Sequence, residues 1–131
     1  MHILETEGFT YDDVILVPRY GGFGSRDQIS LKTEFSKNIK IDIPIVSANM
    51  DTVTESDMVD AMSDLGTVGV LNRNIPLSEL ACMKKFPSVI SIGTKEHHKR
   101  FIYDAINLDG SQALKCVVID IAHAHSINAL N

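Results

Sequence analysis

Two segments of this chain change abruptly from an apolar run to small, polar and ionisable residues. Residues 43–55 read IPIVSANMDTVTE, and residues 117–126 read VVIDIAHAHS. Buried parallel strands are rich in β-branched residues, and in folds built from repeated strand–helix units the loops after the strands hold the reactive groups. We therefore predict a composite site that is formed by the ends of two strands.

The first segment has side chains that suit a ligand site. Ser47 leaves room for a ligand, Asn49 can both donate and accept hydrogen bonds, and Met50 can lie against a flat ring. The alternative is a loop that only caps the next helix, with Asp51 or Thr52 bound to its free amide groups. The residue types alone leave both interpretations open.

The second segment places a carboxylate at the end of an apolar run. Asp120, which Ile121 and Ala122 follow, would be costly to bury unless a ribose hydroxyl or another donor satisfied it. An internal salt bridge or a helix cap would satisfy it equally well. His123 and His125 would point apart on a helix, so we predict no metal site here.

Arginines and cysteines provide the other reactive groups. Arg26, which follows Ser25 in a glycine-rich turn, and Arg73, which follows an apolar run, are suited to bind a phosphate or to lie solvated at the surface. Cys82 and Cys116 are interpreted as reduced core thiols, because neither lies beside a base or a helix N-terminus. The sequence contains no glycine-rich phosphate loop.

The elements that must position these groups form a repeat. Apolar runs predict strands at residues 43–48, 67–71, 89–92 and 116–121. The stretches between them predict helices at 55–64, 77–86 and 97–108, with a fourth helix starting at His125. An arm of residues 1–42, with short β pieces at 9–17 and 28–31, precedes this repeat of residues 43–131. Right-handed crossovers would make all four strands parallel, in an open doubly wound sheet or in half of a barrel.

The composition is that of a folded globular protein. The chain has 131 residues, of which 44% are hydrophobic and 22% are charged, whereas a complete eight-stranded βα barrel needs about 250 residues. A net charge of -5 provides no basic surface for nucleic acid, and the apolar runs are too short for a membrane span or a signal peptide. We expect a cytoplasmic protein without a nucleic-acid or membrane partner.

Five motifs together resemble the N-terminal half of the IMP dehydrogenase and GMP reductase family. In chain order they are FTYDDVILVPRY, IPIVSANMDTVTE, TVGVLNRN, SIGT and VVIDIAHAHS. The resemblance implies an α/β fold in which about four βα units of a (βα)8 TIM barrel follow a short N-terminal β arm. It also implies an oxidoreductase that acts on purine nucleotides and forms homo-oligomers.

Within that family the resemblance favours the reductase branch. ANMDT at residues 48–52 and DIAH at 120–123 are similar to the reductases, and the short connection between the second and third strands leaves no room for the regulatory domains of most dehydrogenases. TVTE at residues 52–55 is instead similar to the dehydrogenases. The implied reaction is reduction of GMP by NADPH to IMP and ammonia, and the alternative is oxidation of IMP to XMP by NAD.

The same resemblance implies which residues bind the two ligands. The nicotinamide cofactor would contact Ser25, Arg26, Arg73, Asp120, Ile121 and Ala122. The purine nucleotide would contact Ser47, Asn49 and Met50. Reductases often carry lysine at the position of Arg73, so the charge is kept while the geometry differs.

The chain lacks the Gly-Ser-Cys-Thr type of loop whose cysteine attacks the purine in this family. We therefore predict that this truncated chain holds no catalytic residue and is inactive alone, and that a monovalent-cation site, if the protein has one, lies in the missing half. A complementary C-terminal half or a second copy would pair with its open sheet edges. The alternative is a non-catalytic remnant that binds nucleotide or modulates the assembly of a relative.

Overall fold

The chain divides into two units, Met1–Ser30 and Leu31–Asn131, in a computed structural model that describes residues 7–108, 110 and 112–130. The first unit contains a 3₁₀ turn at Arg26–Gln28. The β pieces that we predicted at residues 9–17 and 28–31 do not form strands. A short strand is stable only with a hydrogen-bonded partner, which apolar residues alone do not supply.

The second unit begins with an antiparallel β-hairpin of strands β1 (Thr33–Ser36) and β2 (Ile39–Ile41). The side chains of Ile39 and Ile41 are buried in a core cluster with valines of the segments that follow. The hairpin therefore shares the core of the strand–helix repeat. It belongs to the second unit, Leu31–Asn131.

The strand–helix repeat follows the hairpin. Its helices within the described residues are α1 (Ser56–Asp64), α2 (Leu77–Leu80), α3 (Glu96–Leu108) and α4 (Ile127–Leu130). Strand β3 (Val89–Ile92) lies between α2 and α3, and strand β4 (Cys116–Ile119) lies between α3 and α4. The two strands pair in parallel over four residues, starting with Val89 opposite Cys116. The predicted alternation of strands and helices is confirmed from α2 to α4.

Two of the predicted strands are present only as isolated parallel bridges. Ser47 pairs with Gly69, and Leu71 pairs with Ile90 of β3. The backbone hydrogen bonds at Ser47 are long, 3.3 and 3.4 Å between nitrogen and oxygen, so the pairing does not extend along residues 43–48. The bridges nevertheless place the two segments beside β3 and β4 in one parallel arrangement. The order of neighbours follows the order in the sequence.

Helix α2 is much shorter than the predicted helix at residues 77–86. Its apolar side chains recur every three residues, at Leu77, Leu80, Met83 and Phe86, which matches a 3₁₀ turn better than an α-helix. After Leu80 the chain makes i→i−3 bonds from the amides of Cys82 and Met83. All four apolar side chains still pack in one core cluster, so burial and not helix propensity decides this segment.

Apolar side chains cover both faces of the parallel segments up to β3, whereas β4 is covered on the hairpin side only. The cluster on the helix side consists of Val59, Leu71, Ile75, Leu80, Ile90 and Ala105. The cluster on the hairpin side consists of Ile39, Ile41, Val68, Val70 and Val89. Burial on two faces explains the continuous β-branched runs in the sequence. In the part of the chain that the structure describes, no helix has the length and apolar character needed to span a membrane.

Candidate functional site

A buried threonine holds the loop after the first parallel segment. Thr54 is fully buried, and its hydroxyl donates a hydrogen bond to the Ala48 carbonyl. The hydroxyl oxygens of Thr54 and Ser47 also lie 2.9 Å apart and share a hydrogen bond. The Thr54 amide donates to the Met50 carbonyl at 2.9 Å. These bonds close residues 47–54 into a tight loop.

This loop does not cap the next helix, so the capping alternative is wrong. Helix α1 begins after Glu55, and no side chain makes a capping hydrogen bond there. Asp51 is exposed, and the Met50 side chain is 56% exposed. Asn49 is half-buried beside it. The loop therefore presents an amide and a thioether to solvent, which is the arrangement that the ligand interpretation requires.

Asn72 ties the end of the second parallel segment to this loop. It is buried, and its side-chain nitrogen donates to the Thr54 carbonyl at 3.0 Å while its side-chain oxygen accepts the Asn74 amide at 2.9 Å. A buried amide group must satisfy its donors and acceptors, and these contacts do so. Neither Thr54 nor Asn72 was predicted as a site residue from the sequence. A polar residue directly after the buried run TVGVL was the available signal for Asn72.

Arg73 reaches across the end of β3 to the end of β4. Its Nη1 donates to the backbone carbonyl of Asp120, a residue 47 positions away in the sequence, and lies 3.8 Å from the Asp120 Oδ2. The two side chains are 39% and 41% exposed. An exposed ion pair of this kind contributes about 0–1 kcal/mol. Asp120 thus has the salt-bridge partner of the alternative interpretation, and its carboxylate keeps solvent-facing acceptor capacity.

A histidine near Arg73 was not identified from the sequence. His98 lies in the first turn of α3, half-buried, and a Cβ atom added to Gly93 would be 2.9 Å from its Nε2. Burial lowers the pKa of His98, and the nearby positive charges of His97, Arg73 and Lys95 lower it further. The imidazole is thus biased towards its neutral form at the edge of the site.

The remaining residues that we predicted for the site lie in other surroundings. Ser25 and Arg26 are exposed in the first unit, where the Ser25 hydroxyl accepts the Asp27 amide at 3.3 Å and so caps the 3₁₀ turn. Ile121 is half-buried and Ala122 is exposed directly after Asp120. Within the second unit, the structure brings together Arg73, the end of β4 and the loop held by Thr54.

The histidines and cysteines do not form a further centre among the described residues. The rings of His123 and His125 are 6.4 Å apart, and no group of three metal-ligating side chains occurs there. Both cysteines are free thiols. Cys116 packs against a core cluster, as predicted, but Cys82 is exposed, so its assignment to the core is wrong. Cys82 lies off the apolar series of Leu77, Leu80, Met83 and Phe86, whose side chains pack in the core.

The sequence matches the IMP dehydrogenase / GMP reductase domain family over residues 8–131. The chain belongs to this family. Members of the family are oxidoreductases that act on purine nucleotides with nicotinamide cofactors. The match covers both segments that we selected from their residue types, and it also covers Arg73.

Individual relatives carry both names of the family. An IMP dehydrogenase of Nitrosopumilus maritimus is 53% identical over 75 residues, which are 57% of this chain and 16% of that protein. A GMP reductase of Leishmania donovani is 42% identical over 77 residues, which are 59% of this chain and 16% of that protein. An IMP dehydrogenase of Helicobacter pylori is 38% identical over 110 residues, 80% of this chain and 22% of that protein. The chain thus spans a minor part of these relatives.

A solved structure supports the same assignment at the level of the fold. The crystal structure of inosine 5′-monophosphate dehydrogenase from Legionella pneumophila superposes on this chain with a TM-score of 0.76 and 30% sequence identity. The superposition covers 91% of this chain and 37% of that chain. The α/β arrangement described above therefore corresponds to part of a dehydrogenase of this family.

Proposed function

We propose that this chain forms the cofactor-binding wall of a GMP reductase that reduces GMP with NADPH to IMP and ammonia. The observation that carries the proposal is the contact between Arg73 and Asp120 at neighbouring strand ends. The carboxyl ends of parallel strands are where α/β folds bind cofactors. Arg73 would attract a phosphate group, and Asp120 would accept a hydrogen bond from a ribose hydroxyl.

The residues present fit a dinucleotide that carries phosphates. The Asp120 carboxylate is 41% exposed, and its Oδ2 lies at 3.8 Å from Arg73, so it can accept another donor. Arg73 and Lys95 provide positive charge near His98. The bound cofactor would supply a hydride, while the protein side chains would bind and orient it. Asn49 and Met50, on the loop held by Thr54, would contact the purine.

The reductase branch is the first choice because of ANMDT at residues 48–52 and DIAH at 120–123. The segment between the second parallel segment and β3 is also short, which leaves no room for a large inserted domain there. A dehydrogenase that oxidises IMP with NAD is the second candidate. It is favoured by TVTE at residues 52–55 and by the 53% identity with the Nitrosopumilus maritimus protein.

We also propose that catalysis needs protein residues other than these 131. Neither Cys82 nor Cys116 lies in a Gly-Ser-Cys-Thr loop. Val117 and Ile119 on β4 are 38% and 46% exposed, and with Ile102 of α3 they line an apolar groove of about 350 Å³. An exposed strand edge beside an apolar groove recruits another chain. A complementary C-terminal half is the proposed partner, and a second copy of this chain is the alternative.

The binding part of the proposal is tested with arginine variants. Arg73→Ala should weaken NADPH binding about fivefold or more, because a charge-assisted contact to phosphate is lost, and Arg73→Lys should restore part of the affinity. Arg100→Ala is the matched control, since Arg100 is exposed on α3. Fluorescence titration with NADPH measures the dissociation constants. Equal effects of the Arg73→Ala and Arg100→Ala variants would refute the cofactor wall.

The catalytic part is tested by adding NADPH and GMP to the chain alone and then to a mixture with a C-terminal half of a GMP reductase. We expect NADPH oxidation only in the mixture. Activity of the chain alone would contradict the need for a partner, and NAD reduction with IMP in the mixture would select the dehydrogenase instead. Binding of NADPH without activity in either case would support the non-catalytic alternative.

A further inference from the structure

A polar cavity lies at the ends of the parallel segments that are opposite to Arg73 and Asp120. It has a volume of about 200 Å³ and is partly enclosed. Its polar lining residues are Ser63, Thr67, Ser88, Lys85 and Lys115. We call it the amino-end cavity, because Ser88 directly precedes β3 and Lys115 directly precedes β4.

The amino-end cavity is separate from the cofactor-binding wall. Arg73 and Asp120 follow their strand segments, whereas Ser88 and Lys115 precede β3 and β4. A four-residue strand rises about 3.3 Å per residue, which separates the two sites by roughly 13 Å. The cavity is therefore a different site on the same sheet.

Hydrogen-bond donors of the cavity are available for a ligand. The Thr67 hydroxyl donates to the Ile45 carbonyl and is already used. The side chains of Ser63, Ser88 and Lys115 make no hydrogen bond or ion pair with any residue that the structure describes. The Ser88 carbonyl accepts the amides of Lys115 and Cys116 at 2.9 and 3.1 Å, which fixes the backbone beneath the side chains.

The charge of the cavity selects the class of ligand. Lys85 forms an ion pair with Asp64, so those two charges offset each other. Lys115 therefore supplies the remaining positive charge of the cavity, and Ser63 and Ser88 supply two hydroxyl donors. Oxygen atoms of a phosphate accept such donors in charge-assisted hydrogen bonds. A volume of about 200 Å³ equals roughly seven waters of bulk liquid, which is enough for a phosphate group but not for a whole nucleotide.

We propose that the amino-end cavity binds a phosphate group, either as a free ion or as the terminal group of a nucleotide, through Lys115, Ser63 and Ser88. The site is independent of the cofactor-binding wall and of the reaction assigned to it. Its ligand would occupy the junction of α1, β3 and β4, and would therefore stabilise the folded chain by mass action.

The test follows amide resonances of the ¹⁵N-labelled full chain during titration with inorganic phosphate, and in parallel with GMP, at constant ionic strength in sodium chloride. We expect saturable shifts at Ser63, Ser88 and Lys115 with phosphate. Equal affinities for the two ligands would show that the phosphate group suffices, and a tighter GMP complex at the same amides would identify a nucleotide as the source. Shifts that do not saturate would overturn the proposal.

Charge variants sharpen the result. Lys115→Gln should weaken phosphate binding about fivefold or more, whereas Lys84→Gln, which removes an exposed lysine outside the cavity, should leave it unchanged. Asp64→Asn should tighten binding about twofold, because Lys85 loses its competing carboxylate. Equal losses in the two lysine variants would refute the site. If Lys115→Gln does not fold, Ser88→Ala tests the same prediction, with unfolding temperatures as the control.

Discussion

Replacement of Thr54 by valine should destabilise the chain by about 1–3 kcal/mol, although valine has nearly the same shape as threonine. The variant loses the hydroxyl that bonds to the Ala48 carbonyl and to the Ser47 hydroxyl. Thr54 itself is fully buried, and both hydrogen bonds are part-buried, so water replaces them only in part. A typical intramolecular hydrogen bond contributes about 0.5–1.5 kcal/mol net, so the loss of two sets this magnitude.

Two matched variants separate the hydroxyl from the methyl group. Thr54→Ser keeps the hydroxyl and removes one methyl group, which costs about 1 kcal/mol. Thr52→Val removes a hydroxyl of an exposed threonine in the same loop and should change stability by less than about 0.5 kcal/mol. The expected order of destabilisation is therefore Thr54→Val, then Thr54→Ser, then Thr52→Val.

Urea unfolding at a common slope measures the three free energies of unfolding. Amide resonances of residues 48–52 in the same proteins report whether the loop keeps its conformation, and they should shift most in the Thr54→Val variant. A Thr54→Ser variant that is as unstable as Thr54→Val, or less stable, would refute the argument. In that case methyl packing, and not the hydrogen bonds, would hold the loop.

Two further predictions concern stability. Gly66→Ala should destabilise the chain by about 1–2 kcal/mol or more in urea unfolding, because Gly66 has a φ of +71° and a Cβ would lie 2.5 Å from Asp42 Oδ2. Gly22→Ala is the control and should be nearly neutral, because Gly22 has open space around it. Equal effects of the two substitutions would exclude backbone strain as the cause. Burial and, to a smaller extent, nearby positive charges lower the pKa of His98 below 6.5 in the folded chain. The unfolded chain therefore binds more protons than the folded chain at acidic pH. The stability that is present above pH 6.5 is lost as the pH falls towards the folded pKa. Unfolding temperatures between about pH 7 and pH 5 should therefore fall less in His98→Gln than in the unaltered chain, and parallel profiles would contradict this.

The types and order of the elements were predictable from the sequence because they depend on local patterns. The β-branched runs predicted β3 and β4, and the amphipathic spacing predicted α1 and α3 within one residue at their starts. The length of α2 was not predictable in this way. Its apolar residues recur every three positions, and core packing selected tight turns after Leu80 over a longer helix.

The candidate site was predictable only in part. Asp120 could be selected because a carboxylate at the end of an apolar run is costly to bury, and Arg73 because arginine suits a phosphate, but each left a solvated or structural alternative open. Their contact depends on the parallel order of the segments and on a reach across β3, which no local pattern contains. The buried roles of Thr54 and Asn72 and the position of His98 against Gly93 depend on the same long-range packing.

The sequence by itself determined the family and the strand–helix alternation, because motifs and periodicity are properties of neighbouring residues. The tertiary structure alone decided which strand ends lie together, which polar groups are buried and which donors remain open at the amino-end cavity. Contacts between residues as distant as Arg73 and Asp120 form only when the hydrogen bonds of the sheet set the register and the two core clusters pack around it.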